Sequence, residues 1–293
     1  MFDGFTVRYL KCGDVTLRVR VGGQGPPVLL LHGHPRTHTT WYRVAPQLAS
    51  TRTVICPDLR GYGESSKPES TSDHLPYSKR SMAGDCLALM HHLGFERFAL
   101  VGHDRGAYVA FRLAMDHPEA VERLIIMDAV PIGEALARCN ARFASAWWHW
   151  FFLGQTAKPA ERAILADPEA WYAPDRQSMG EDNYQDFLRA IHNPATVHAM
   201  CEDYRAGLGV DRAADQADAL AGRRIQCKML LIRADRDDLG ELYEDPAGIW
   251  RSWANNVDEI VLDCGHHMAE EAPEELTMAI QGFLRAESHA EPG

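Results

Sequence analysis

The chain has 293 residues, 46% apolar and 24% charged, the composition of a soluble globular protein that can bury a large core. Asp and Glu outnumber Lys and Arg by 41 to 30, giving a formal net charge of −11. Nucleic acids and anionic membranes attract positive proteins, so neither is the expected main partner. We recognise no secretory leader and no run of about 18 apolar residues. The seven Cys are scattered without a CxxC pair, which predicts reduced thiols, no metal centre and a cytoplasmic location.

The first predicted elements are two strands at 5–11 and 15–21, separated by a Gly-Asp turn typical of a hairpin. A loop rich in Gly and Pro then leads to residues 28–31, an unbroken apolar run typical of a strand buried on both faces of a parallel sheet. Strands and helices alternate beyond it, with strands at 53–56, 98–101 and 121–127 and helices at 81–93 and 107–115. This alternation predicts an α/β fold with a mainly parallel sheet flanked by helices.

The strand pattern stops after residue 130. The next 80 residues are rich in aromatic side chains and are interrupted by Pro159, Pro168, Pro174 and Pro194. We therefore predict a helical cap domain over 131–209, inserted into an α/β core domain formed by 1–130 and 210–293. Strands are expected again at 229–232 and 260–262, and helices at 246–253 and 273–284.

The strongest local signal is Val101-Gly102-His103-Asp104-Arg105-Gly106, where a buried strand ends and a helix begins. The Gly-x-Asp-x-Gly spacing is that of a nucleophile elbow, a sharp turn that lifts one side chain above the sheet. Asp104 occupies the place of the usual Ser, and the following helix N-terminus favours a carboxylate. An Asp here could also do no more than cap the helix.

Two further turns fit a catalytic site. His32-Gly33-His34-Pro35 follows a buried strand, where the second donor of an oxyanion hole is expected, so the backbone N–H groups of His34 and Arg105 would face each other. A simple Gly-Pro turn is the alternative. Near the C-terminus, Gly265-His266-His267 follows a strand, where the base is expected in the order nucleophile, acid, base. The spacing from Gly265 selects His266, and His267 is interpreted as a packing or surface neighbour.

The acid that orients His266 has two candidate positions. Asp128 directly follows the strand at 121–127, whereas Asp235 and Asp237 follow the later strand that carries the acid in many hydrolases with a sheet of this type. We favour Asp128 and interpret residues 235–238 as a solvated loop.

A carboxylate nucleophile restricts the reaction. Its attack on an acyl carbon would give a mixed anhydride, which makes an ordinary esterase a poor fit. Attack on an sp³ carbon gives an alkyl ester, and water activated by His266 can hydrolyse that ester at the Asp104 carbonyl. Displacement of halide and opening of an epoxide both fit, and neither needs a metal or an organic cofactor.

With these residues the chain resembles the α/β-hydrolase-fold haloacetate dehalogenases, including the fluoroacetate dehalogenases. The resemblance covers nearly the whole chain. It rests on the segments HGHP (32–35), DLRGYG (58–63), GHDRG (102–106), HW (149–150) and CEDYRAG (201–207), and on the stretch from Gly265-His266 to Pro273. It implies the α/β-hydrolase fold and a homodimer. It also implies that Asp104 is the nucleophile, Asp128 the acid and His266 the base.

The resemblance assigns further roles around the substrate. His149, Trp150 and Tyr204 would donate hydrogen bonds to the departing halide, and Arg105 would bind the substrate carboxylate. The alternative is that these three residues only pack within the cap domain. The family carries a second Arg where this chain has Tyr108, so a guanidinium and a phenol, Arg105 and Tyr108, would hold the substrate carboxylate together. That departure favours a substrate that is larger or less charged than fluoroacetate.

The leading hypothesis is a cofactor-free dehalogenase of short 2-halo acids. The alternative is an epoxide hydrolase in which Tyr204, with Tyr172 or Tyr184, protonates the ring oxygen. A haloalkane dehalogenase is less favoured, because that group usually carries Trp directly after the nucleophile, where this chain has Arg105. A third class is a non-catalytic small-molecule receptor. In each case the partner is a small molecule.

Overall fold

The computed structural model describes residues 1–285; residues 286–293 of the predicted core domain lie outside it. Its centre is an eight-stranded sheet in the order β1-β2-β4-β3-β5-β6-β7-β8. The strands are β1 (Phe5–Cys12), β2 (Val15–Gly22), β3 (Pro27–Leu31), β4 (Thr53–Pro57), β5 (Phe98–His103), β6 (Val121–Met127), β7 (Lys228–Ala234) and β8 (Val257–Leu262). β1 and β2 form the predicted hairpin and β2 pairs antiparallel with β4, whereas the other neighbours are parallel. The predicted α/β fold is confirmed.

The central strands are buried on both faces, as their unbroken apolar runs predict. On β6, Leu124 and Ile126 belong to one apolar cluster, whereas Ile125 and Met127 belong to another. Successive side chains point to opposite faces of a strand, so each central strand contributes to two cores. Helices cover both.

Helices of the first part are α1 (Ala45–Leu48), α2 (Lys79–His92) and α3 (Arg105–Asp116), with 3₁₀ turns at His38–Arg43 and Leu75–Tyr77. Between β6 and β7 lie α4 (Ile132–Ala137), α5 (Ala141–Ala146), α6 (His149–Leu153), α7 (Glu161–Ala166), α8 (Pro168–Tyr172), α9 (Arg176–Met179), α10 (Glu181–Ile191), α11 (Pro194–Ala206), a π-helical turn (Gly207–Asp211) and α12 (Arg212–Leu220). After β7 come α13 (Leu239–Leu242), α14 (Pro246–Arg251), α15 (Met268–Glu271) and α16 (Pro273–Arg285). The helical stretch thus continues past residue 209, to Leu220. The division into core and cap domains stays a prediction.

Buried ion pairs tie the helices after β6 to the strands and turns. Arg18 on β2 lies 3.0 Å from Asp186 on α10. Arg36 donates through Nε and Nη2 to Glu270, which also accepts a hydrogen bond from Asn183. These charges are almost fully buried, so removal of one partner would leave the other uncompensated. These contacts hold the helices that follow β6 against the strands and turns of the first part of the chain.

Within residues 1–285, every helix is too short or too polar to span a bilayer.

Candidate active site

Asp104 lies on a sharp turn between β5 and α3. Its backbone has φ 49° and ψ −117°, a conformation that costs a non-glycine residue about 1–3 kcal/mol. Gly106 makes the turn feasible, because a Cβ there would lie 2.4 Å from the carbonyl oxygen of His32. Backbone strain at one polar residue, supported by the surrounding packing, is typical of a functional site.

The turn after β3 lies against the Asp104 carboxylate. The backbone N–H of His34 donates to Asp104 Oδ1 at 2.6 Å. A Cβ on Gly33 would come within 2.5 Å of Asp104 Cβ, so glycine permits this approach. Arg105 is the first residue of α3, and its backbone N–H has no acceptor within the helix. Of the two donors predicted for an oxyanion hole, the His34 N–H thus contacts the carboxylate, whereas the role of the Arg105 N–H stays a prediction.

His266 lies on the other side of the nucleophile. Its Nε2 is 3.9 Å from Asp104 Oδ2, beyond hydrogen-bond distance. Glu271 fixes the loop by accepting hydrogen bonds from the backbone N–H groups of Gly265 and His267. The ring is therefore placed to act on a water that approaches the Asp104 carbonyl carbon.

Two carboxylates, not one, lie at the other ring nitrogen of His266. Nδ1 is 3.0 Å from Asp128 Oδ2 and 2.8 Å from Asp237 Oδ2. Asp128 is anchored because its Oδ1 accepts a hydrogen bond from the backbone N–H of Ala234 at 3.2 Å. The interpretation of 235–238 as a solvated loop holds for Asp235, which is exposed, but is wrong for Asp237.

The pKa values of the two carboxyl groups in this cluster are shifted in opposite directions. Burial raises the pKa of Asp128 to about 7, and its hydrogen bond with Asp237 adds to the shift. Despite burial, hydrogen bonds with His266 and Asp128 hold the pKa of Asp237 well below its ordinary value. Burial opposes a charge on His266, but the hydrogen bonds with both carboxyls raise its pKa well above the ordinary value.

The neighbouring histidines have lowered pKa values, in contrast to His266. Burial lowers the pKa of His149 to about 4. Burial also lowers the pKa values of His34 and His267 well below the ordinary value, with further lowering by the nearby charged groups. These three rings are neutral near pH 7, so only His266 in this group is set up to carry a proton during turnover.

The ligand-type atoms of Asp128, Asp237 and His266 lie within 4.8 Å of one another, a set that could hold a metal ion. The same atoms also satisfy one another through hydrogen bonds around Nδ1. Hydrogen bonds alone thus account for the arrangement of the three side chains.

Above Asp104 is an inner cavity of about 180 Å³. Its aromatic and polar lining includes Tyr108, Trp147, His149, Trp150, Tyr204 and Asp238. Burial, and then the charge of Asp104, raise the pKa values of Tyr108 and Tyr204 well above the ordinary value. Both phenols therefore stay protonated near neutral pH and can donate hydrogen bonds in the cavity. Trp147 and Asp238 had no predicted role.

Arg105 is arranged differently from the expectation. Its Nε and Nη2 donate to the Asp203 carboxylate at 3.1 and 2.9 Å, and Nη2 also donates to the Asp203 backbone carbonyl. The guanidinium lies 4.1 Å from the centre of the Tyr204 ring and is not part of the cavity lining. Its buried Nη1 has no hydrogen-bond partner among the described residues. The structure thus does not place the Arg105 guanidinium at the cavity surface, where contact with a substrate carboxylate would require it.

A wider outer cavity of about 610 Å³ lies next to the inner one. His34, Pro35, His149 and His267 line both cavities. Tyr172 lines the outer cavity and its ring lies 5.6 Å from that of His34. Tyr184 lies elsewhere, with its hydroxyl 3.4 Å from Glu169. A small molecule would therefore reach Asp104 past His34 and His149.

The fold and the strained Asp on its elbow define an α/β-hydrolase site. The family model of the α/β hydrolase fold matches residues 26–273. The chain belongs to this family, and the protein is a hydrolase.

Known relatives extend over almost the whole chain. A fluoroacetate dehalogenase from Burkholderia sp is 39% identical over 97% of this chain and 95% of its own. A soluble epoxide hydrolase from Corynebacterium sp. (strain C12) is 32% identical over 94% and 92%. A solved structure from Nostoc sp PCC 7120, provisionally described as an α/β hydrolase, is 40% identical over 98% of this chain and 100% of its own, with a TM-score of 0.94. The chain is thus similar to hydrolases with different substrates.

Proposed function

We propose that the protein is a hydrolytic dehalogenase of short 2-halo carboxylic acids that works through an ester on Asp104. The observation that supports this most is the inner cavity, in which a carboxylate faces a set of neutral hydrogen-bond donors. Its volume of about 180 Å³ limits the substrate to a small molecule. The fluoroacetate dehalogenase relative supports the same reaction class.

In the first step, the Asp104 oxygen not held by His34 attacks the carbon that bears the halogen. A C–O bond forms and the C–X bond breaks, and the halide leaves with the bonding electrons. His149, Trp150 and Tyr204 line the cavity and solvate the halide through ring N–H and phenol O–H groups. Direct solvation by these fixed dipoles takes the place of hydration of the halide by bulk water.

Formation of the ester removes the negative charge of Asp104, 3.9 Å from His266 Nε2, and with it one group that favours the charged imidazolium. In the second step, water attacks the carbonyl carbon of the Asp104 ester while the neutral imidazole takes its proton at Nε2. The negative charge that develops on Oδ1 is stabilised by the N–H of His34, which already donates to that atom. Collapse of the intermediate releases the 2-hydroxy acid, whose alkoxide takes the proton back from His266. Asp104 now carries one oxygen from water, and loss of the second proton of that water to solvent regenerates the carboxylate.

An epoxide hydrolase is the second candidate, and a specific observation favours it. Within residues 1–285 the inner cavity is lined by the phenols Tyr108 and Tyr204 but by no Lys or Arg side chain. Tyr hydroxyls suit protonation of a ring oxygen better than capture of a carboxylate. The 32% identical epoxide hydrolase is consistent with that reaction.

The two candidates separate in one assay. The purified protein is incubated with haloacetates, 2-halopropionates and styrene-type epoxides, and halide and diol are measured together. Halide release from 2-halo acids is expected. Diol release without halide release would overturn the dehalogenase proposal in favour of the epoxide hydrolase.

We further propose the cytoplasm as the location, since all seven cysteines carry free thiols. A homodimer, and the lack of nucleic-acid and membrane partners, stay predictions.

A further inference from the structure

His266, the proposed base, has two carboxyl groups at its Nδ1, whereas a catalytic triad needs one. One Nδ1–H of His266 lies within 3.0 Å of both Asp128 Oδ2 and Asp237 Oδ2. Asp128 follows β6 and Asp237 follows β7, two neighbouring parallel strands. Their carboxyl ends meet at one edge of the sheet, which brings the two side chains to the same nitrogen.

The proximity of the two carboxyls has an electrostatic consequence. Two carboxylates that share a site cannot both ionise without strong repulsion, so one retains a proton. Asp128 is the more buried of the two, with a side chain that is 0% exposed against 22% for Asp237. The proton therefore resides on Asp128, whose O–H donates to Asp237, while Asp237 accepts from His266.

Resting on the function proposed above, we propose that Asp128 and Asp237 form one proton-sharing pair that positions His266, in which either carboxylate can serve when the other is replaced. Both are positioning residues, because they act only through His266. The proposal differs from a triad with Asp128 as sole acid, in which Asp237 is dispensable and loss of Asp128 disables the base.

The pair predicts small losses in the two single variants and a large loss in the double variant. In Asp128→Asn, the amide N–H imitates the O–H of the protonated acid, so Asp237 still accepts from His266 and ester hydrolysis falls less than about tenfold. In Asp237→Asn, Asp128 ionises and takes over, with a similarly small loss. The double variant loses about 10³–10⁴-fold, the scale seen when a catalytic His loses its acid. Asp235→Asn is the matched control on the same loop, since Asp235 is exposed.

Two readouts are measured on all four variants. The first is single-turnover kinetics, in which formation of the Asp104 ester is unaffected and only its hydrolysis changes; a merely structural role would slow both. The second is the low-field Nδ1–H resonance of His266 in protein labelled with ¹⁵N-histidine, assigned by its loss in His266→Ala. It is expected in each single variant and absent from the double variant.

An Asp128→Asn variant that loses both the resonance and about 10⁴-fold in ester hydrolysis, with Asp237→Asn unchanged, would overturn the pair. Ester formation at Asp104 would then still support the proposed function. Conversely, no ester in wild type or in His266→Ala would overturn the proposed function, whereas the resonance in both single variants would still support the pair.

Discussion

The two halves of the site are built on different principles. In the lower half, Asp104 and Asp128 follow directly after β5 and β6, and His266 lies in the loop that follows β8, so the sheet positions their backbone. In the upper half, His149, Trp150 and Tyr204 lie on helices α6 and α11. There, aromatic rings position one another, with 5.9 Å between the rings of His149 and Tyr204 and 6.4 Å between those of Trp150 and Tyr204. We infer that the lower half sets the chemistry and the upper half selects the substrate.

The largest effect is expected from the nucleophile. Asp104→Ala removes the only group that forms the ester in our account, so turnover should fall by about 10⁵-fold or more on every substrate. Turnover is measured as product release, with circular dichroism as the check on folding. Asp235→Ala, an exposed carboxylate, is the control. Residual activity within tenfold of wild type would mean that Asp104 is not the nucleophile.

The next effect is expected from the base. His266→Ala should leave attack on the substrate intact but stall hydrolysis, lowering turnover by about 10³–10⁴-fold. Intact-protein mass spectrometry should then show an adduct equal to the alkyl fragment. His92→Ala, at an exposed histidine at the end of α2, is the control. Equal loss in both variants without an adduct would contradict the assignment of His266.

A cap residue should change one step only. Tyr204→Phe keeps the ring against Arg105 but removes the hydroxyl, so ester formation should slow by about 10²-fold, the effect of losing one preorganised donor. Hydrolysis of the ester should not change. Tyr184→Phe, outside both cavities, serves as the control. If ester hydrolysis slowed as much as ester formation, the division between the two halves would fail.

Tyr108, which lies on α3 and lines the inner cavity, tests whether the cavity selects a charged substrate. Tyr108→Arg should favour haloacetates by about 1–3 kcal/mol, mainly through KM, because a guanidinium in the cavity can pair with the carboxylate. Tyr108→Met, without a charge, should give no gain. A folded arginine variant that handles haloacetates no better would show that the carboxylate does not lie at Tyr108.

No effect is expected from removal of metals. EDTA should leave turnover unchanged, since the cluster of Asp128, Asp237 and His266 is held by hydrogen bonds. Activity that disappears with EDTA and returns with a divalent ion would mean that these residues are metal ligands.

The sheet was predictable because its information is local. Unbroken apolar runs marked the central strands, and residues 121–127 were predicted with the bounds that β6 has. Turn chemistry placed Asp104 and His266 for the same reason, since each follows a strand within a Gly-containing segment. The edge strand β8 was harder, because it is half exposed and carries polar residues, so only its end, 260–262, was predicted.

Contacts between distant segments were not predictable. The partner of Arg105 is Asp203, 98 residues further along the chain, and nothing in the spacing indicates that this pair removes the guanidinium from the cavity surface. Asp237 was misjudged for a related reason. An acidic loop after a strand has the composition of a solvated turn, and only the register of β7 beside β6 brings one of its carboxylates to His266.

The most direct test of the covalent account is the origin of the product oxygen. A single turnover is run in ¹⁸O-water with enzyme in excess over a 2-halo acid, and both the product and the peptide that contains Asp104 are analysed by mass spectrometry. We predict a product hydroxyl that is largely unlabelled and an Asp104 peptide that gains one ¹⁸O. Label in the product on the first turnover, with Asp104 unlabelled, would contradict the ester mechanism.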